Sequence, residues 1–141
     1  MRVKYNRKNE YTDNYEFRKQ LIENAEADLA AYGNKEVLAL FRIMKETGIR
    51  LGDLVELAPG NLNGKELTVI EHKLNRIYAY SDGTKPVISE ETADLLVLKD
   101  NGRYFEHDTH YYIQMFQRVV KDKGFRYYQI RDYALKSRKF V

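Results

Sequence analysis

Apolar residues recur at helical spacing through the first third of the chain, switch to alternation in the middle, and return to helical spacing toward the end. The run from Tyr15 to Tyr32 has that spacing with charged faces and stops at Gly33-Asn34, which predicts a first helix. Lys35 to Thr47 is apolar over more than half its circumference, through Val37, Leu38, Leu40, Phe41, Ile43 and Met44. It is predicted to be the central buried helix, with Gly48 as its C′ residue. A third, short helix is expected over Leu51 to Leu57. Turns follow at Pro59-Gly60 and Asn63-Gly64, and the pattern then alternates: Glu66 to Glu71 and Arg76 to Tyr80 read as a β-hairpin around Lys73-Leu74-Asn75, with a third strand near Pro86-Val87-Ile88. Ser89-Glu90-Glu91-Thr92 is a good helix start for a segment to Leu98, and Asn101-Gly102 turns the chain. Asp108 or Thr109 can cap a long helix to about Lys123, before Gly124, and Tyr128 to about Lys139 reads as a last helix.

Helices, then a small antiparallel sheet, then helices again predict a mostly helical α+β domain over residues 14–141, preceded by a polar, basic arm at 1–13. With 141 residues the chain is long enough for one sizeable core. No cysteine is present, which excludes a disulfide framework and thiolate metal sites. No apolar run has the length of a membrane span, and the basic start has no apolar region behind it as a secretory signal would. A cytoplasmic protein of a bacterial or archaeal host is the expectation.

Charge alters the picture through its distribution. The formal net charge is only +3, yet residues 1–10 carry four basic residues against one acid, residues 11–98 ten against fifteen, and residues 99–141 ten against five. Basic ends around an acidic middle suit contact with nucleic acid, whose affinity comes mainly from phosphate neutralisation, although a solvated surface with a basic tail gives the same count. Neither GxxxxGK[ST] nor GxGxxG occurs, so a nucleotide cofactor has no support. His72, His107 and His110 lack further ligands at metal spacing, and no serine or cysteine pairs with a histidine by sequence. No metal and no cofactor is expected.

The candidate chemistry begins with Thr47-Gly48-Ile49-Arg50-Leu51-Gly52-Asp53-Leu54, which ends one helix and starts another with an arginine at the junction. An arginine beside a helix N-terminus can reach an anion that the backbone N–H groups also favour. Downstream lie Lys73 in the expected hairpin and Tyr128-Gln129-Ile130-Arg131, where three-residue spacing puts Tyr128 and Arg131 on one helical face. Singly, each has an ordinary structural role open to it: Arg50 can pair with Asp53 or Glu56, and Lys73 can be a loop lysine. In this order, over about residues 35–135, they resemble the catalytic domain of the tyrosine recombinases, the phage integrase family. That family's first motif reads Thr-Gly-Leu-Arg-x-x-Glu-Leu; here Ile49 replaces Leu and Asp53 replaces Glu.

The resemblance implies a metal-free phosphate site. Arg50 and Arg131 would hold the non-bridging oxygens of a DNA phosphate, Lys73 would be the general acid for the leaving oxygen, and Tyr128 would stand where the family usually has histidine. Guanidinium forks suit phosphate because they bind it bidentately and stay charged. The family's nucleophilic tyrosine follows the second arginine by several helical turns, whereas Val141 is ten residues past Arg131 and Tyr133 is the only tyrosine between. At a spacing of two, Tyr133 should face away from Arg131. The expectation is therefore a C-terminally truncated recombinase-like domain of phage or mobile-element origin that binds duplex DNA without cutting it. Arg126, Lys136, Arg138 and Lys139 would join Arg50, Lys73 and Arg131 on the basic face, with a homo-oligomer or a full-length recombinase as further partner. Two alternatives stay open: a catalytic fragment whose tyrosine comes from elsewhere, and a protein-interaction module that has lost DNA binding.

Overall fold

The computed structural model describes residues 15–136 and 138–141; the basic arm expected at 1–13 lies outside them. Helix α1 (Tyr15–Tyr32) buries Phe17, Leu21, Ala25 and Leu29, four residues apart, together with Ile22. Helix α2 (Lys35–Thr47) starts where the Asn34 side chain accepts a hydrogen bond from the Val37 N–H at 3.1 Å, and ends where the Gly48 N–H reaches Met44 O at 2.9 Å. Its buried residues Val37, Leu40, Phe41, Ile43 and Met44 form one broad face, and none of them is more than 1% exposed, so this face lies at the centre of the core. Helix α1 and the later helices over Thr109–Val119 and Tyr128–Ala134 pack around α2.

Helix α3 (Leu51–Leu54) is a single turn and not the two expected, because the chain tightens into a Leu57 N–H to Leu54 O bond and the Leu57 carbonyl then accepts from Tyr104 N–H. The sheet region also departs from expectation in its pairing. Strands β1 (Leu62–Asn63) and β2 (Glu66–Leu67) form one antiparallel pair, and β3 (Ile70–Glu71) and β4 (Arg76–Ile77) form another. The single strand expected over Glu66 to Glu71 is thus divided. Asn61 causes the division: its carbonyl accepts from Thr68 N–H and its side-chain amide donates to Thr68 O, so the backbone leaves one ladder before joining the next. Side chains keep their alternation across the break, with Leu67, Val69 and Glu71 all directed inward. The third strand appears as a bridge between Glu66 and Val87, flanked by bonds from Leu67 N–H to Pro86 O and from Ile88 N–H to Lys65 O.

Three expected helices are shorter than their sequence pattern. Helix α4 (Glu90–Ala93) is capped by Ser89 as expected, but bonds from Leu95 to Thr92 O and from Leu96 to Ala93 O close it three residues on, and Val97 and Leu98 run exposed into the Asn101-Gly102 turn. Helix α5 (Thr109–Val119), capped by Asp108, stops because Val120 turns extended and buries itself while the Lys121 N–H is taken by Asp28. Gly124 then serves a turn around Asp122 instead of the helix end. Helix α6 (Tyr128–Ala134) ends five residues early, and the chain folds back so that Phe140 bridges Tyr80. Phe140 stacks on Tyr80 with centroids 4.9 Å apart and meets Tyr78 edge-on at 4.7 Å. The described residues therefore form an α+β domain of six helices with two small antiparallel sheets. No described helix is long and apolar enough to cross a membrane.

Candidate phosphate-binding site

The loop from Thr47 to Arg50 is held almost entirely by side chains from distant elements. Thr47 O accepts from the Tyr80 hydroxyl at 2.9 Å, Gly48 O from Arg131 Nε at 2.7 Å, and the Arg50 N–H donates to the Tyr78 hydroxyl at 3.3 Å. Thr47 Oγ1 closes the helix end by donating to Ile43 O and accepting from Ile49 N–H. Buried backbone groups must be paired, and here the pairing also fixes where Arg50 stands. Gly48 makes it possible: its φ of +81° is a left-handed conformation, and a Cβ there would lie 2.5 Å from Leu135 Cδ2.

Asp53, which stands at the acidic position of the motif, is buried. It accepts from the Tyr78 hydroxyl at 2.6 Å and from His72 N–H at 3.4 Å, so it ties α3 to the hairpin and forms no ion pair with Arg50. Burial first, and then the hydrogen bond to Asp53, push the Tyr78 phenol well above its ordinary value, which keeps it a neutral donor.

Arg50 and Arg131 converge. Both line an open cavity of about 510 Å³ together with Lys136 and Lys139, and both also line a second cavity of about 400 Å³ with Tyr127 and Tyr128. Burial, and after it the positive charge of Arg50, lower the Arg131 guanidinium from its ordinary value, although it stays charged at any accessible pH. Tyr128 is 54% exposed at the rim of the second cavity, on the same face of α6 as Arg131. Helix α3 has only four residues, so the expected help from its N-terminus is slight and side chains supply the field.

Comparison with family models, curated proteins and solved structures gives no match. Lys73, expected beside the arginines, stands in the turn between β3 and β4 and lines neither cavity. Arg126 turns back to donate to the carbonyls of Lys123 and Phe125. Arg138 lies 3.8 Å over the Tyr80 ring and donates to Thr84 Oγ1. Tyr133 stacks on Tyr15 with centroids 5.8 Å apart, away from the cavities; the hydrogen bond with Tyr15, followed by burial, takes its phenol up to about 12. Among the described residues no group of three His, Cys, Asp or Glu side chains could hold a metal ion.

Two wall residues were not singled out from the sequence. Glu71, 4% exposed, accepts from Arg50 Nε at 3.4 Å on one oxygen and from Arg76 Nε at 3.2 Å on the other. Glu71 and Arg76 are cross-strand partners in the β3–β4 ladder. The hairpin read from the sequence already had Glu71 and Arg76 at its inner strand ends, and pairing those ends across the turn was the signal that could have found them.

Proposed function

We propose that this chain binds duplex DNA by its phosphate backbone, in the manner of a degenerate tyrosine recombinase catalytic domain, and does not cut it. The observation behind this is the convergence of Arg50 and Arg131, from segments 81 residues apart in sequence, on one open cavity wall. Five basic side chains (Arg50, Arg76, Arg131, Lys136 and Lys139) face two acids (Glu71 and Asp132) around it, and one of those acids is already engaged by two arginines. Such an excess attracts a polyanion, and two guanidiniums side by side suit the non-bridging oxygens of a phosphate.

Each side chain then has a role. Arg50 and Arg131 grip one phosphate, with Arg131 oriented by Gly48 O and Arg50 by Glu71. Tyr128 offers a hydroxyl from the adjoining cavity. Lys136 and Lys139 extend the positive field, and Lys73, Arg126 and Arg138 add charge at a greater distance. In the family the nucleophilic tyrosine follows the second arginine, and Tyr133, which follows Arg131 here, is committed to Tyr15 instead of the phosphate. The domain would act on DNA in the cytoplasm, as a regulator or accessory of recombination.

The test is a titration of random duplex at two salt concentrations with wild type and the Arg50→Ala, Arg131→Ala double variant. Salt-sensitive binding that weakens, with a shallower salt dependence, in the variant is the expected result. Equal affinity and equal salt slope for the two proteins would reject the pocket.

A further inference from the structure

Glu71 is a carboxylate with almost no exposure in the wall of a cavity dominated by positive charge, which calls for an explanation. An acid there weakens a general attraction for anions, so its use must lie in placement. Its two oxygens each take the Nε of a different arginine, Arg50 at 3.4 Å and Arg76 at 3.2 Å, and the residue itself is fixed by the β3–β4 ladder. Engaging a guanidinium through Nε orients its plane while leaving the terminal nitrogens for another acceptor. Both arginine side chains remain about two-fifths exposed to the cavity side, so neither is consumed by the pair.

Resting on the duplex-DNA reading, we infer that Arg76 is a third anion-binding arginine and that the cavity takes two neighbouring phosphates of one strand: one between Arg50 and Arg131, the next at Arg76. Glu71 is the positioning residue that spaces the two guanidiniums. Size supports this, since a cavity of about 510 Å³ has the volume of a site for a small molecule and not for a single oxyanion. The lining supports it too. Leu74, Leu135 and Phe140 lie among the charges and provide apolar surface for the sugar that joins two phosphates.

The experiment is a fluorescence-anisotropy titration of a labelled random duplex between about 50 and 200 mM salt, a range over which phosphate contacts dominate affinity. Wild type, Arg76→Ala, Arg76→Lys and the Arg50→Ala, Arg131→Ala double variant are compared, with thermal melts to confirm folding. Arg76→Ala should lower the slope of log affinity against log salt by about one. Arg76→Lys should keep the slope but recover only part of the affinity, because it keeps the charge and loses the planar fork. If Arg76→Ala leaves the slope at the wild-type value while the double variant reduces it, the two-phosphate site is wrong and the Arg50–Arg131 pocket stands. If wild type shows no salt-dependent binding to duplex, both fall. Should Arg76→Ala fail to fold, a wild-type affinity for Arg76→Lys would overturn the proposed fork.

Discussion

Gly48→Ala tests the joint on which the site is built. The substitution meets two separate penalties. A side chain at φ +81° occupies the left-handed region, which costs about 1 kcal/mol or slightly more for an ordinary residue. The added Cβ also lies 2.5 Å from Leu135 Cδ2 and 2.9 Å from Leu135 Cγ, so the half-buried Leu135 side chain, at the wall of the open cavity, must leave its rotamer, at about 0.5–1.5 kcal/mol. Together these give about 1.5–3 kcal/mol, a sizeable share of the ~5–15 kcal/mol that holds a domain folded. Gly33 provides the control: its φ is +90°, and nothing lies within 4 Å of the position its Cβ would take, so Gly33→Ala should cost only the backbone part. Urea unfolding of both variants, and of Gly48→Ala on a Leu135→Ala background, separates the contributions. Removing the Leu135 side chain should relieve the Gly48→Ala penalty by about 0.5–1.5 kcal/mol. If Gly48→Ala and Gly33→Ala cost the same, or if Leu135→Ala brings no relief, the close contact between the α2 terminus and α6 is not what fixes this loop.

Tyr78→Phe should destabilise by about 1–3 kcal/mol in urea unfolding, because it leaves the buried Asp53 carboxylate without its 2.6 Å donor and the Arg50 N–H without its acceptor. A change below about 0.5 kcal/mol, the level of a surface substitution, would refute that role. The raised phenols also fix a pH dependence. Tyr78 and Tyr133 titrate above the 10.0 of a free tyrosine, Tyr133 at about 12, so folding favours their neutral forms. Their contribution to stability is fully present below about pH 10 and is lost as pH rises from there through about 12 and beyond. Chemical unfolding at pH 8, 10 and 11 should show stability falling only in the alkaline range, and less steeply for Tyr78→Phe than for wild type; stability rising between pH 10 and 11 would contradict the sign.

How far the sequence revealed this fold depended on how local the deciding interaction was. Asn34, Gly48, Ser89 and Asp108 mark helix ends by bonds to their own neighbours, and each stands where its local pattern placed it. The overrun helices have ends decided from afar: Asp28 takes the Lys121 N–H, and Phe140 draws the last residues onto Tyr80. The alternation announced strands here, but it could not report that the Glu71 carboxylate is buried beside Leu67 and Val69, nor that Asn61 divides the ladder at Thr68. In the site, the pairing of Arg50 with Arg131 was legible only through the order of motifs. The role of Asp53 was hidden because its partner, Tyr78, lies 25 residues on in the second hairpin strand. Glu71 and Arg76 looked like ordinary surface charges in an alternating strand, and only the register makes them a pair at the cavity wall.

The proposed site has Arg50 and Arg131 hold one DNA phosphate together. Both have their Nε–H engaged, by Glu71 and by Gly48 O, so their side-chain signals should be protected from exchange and visible by nuclear magnetic resonance. The most direct measurement follows those two Nε–Hε signals, assigned by single substitution, as a short unlabelled duplex is added at low salt. With one phosphate held between them, both signals shift together and saturate with one common affinity. Signals that stay in place while the duplex binds and perturbs other parts of the protein would contradict it.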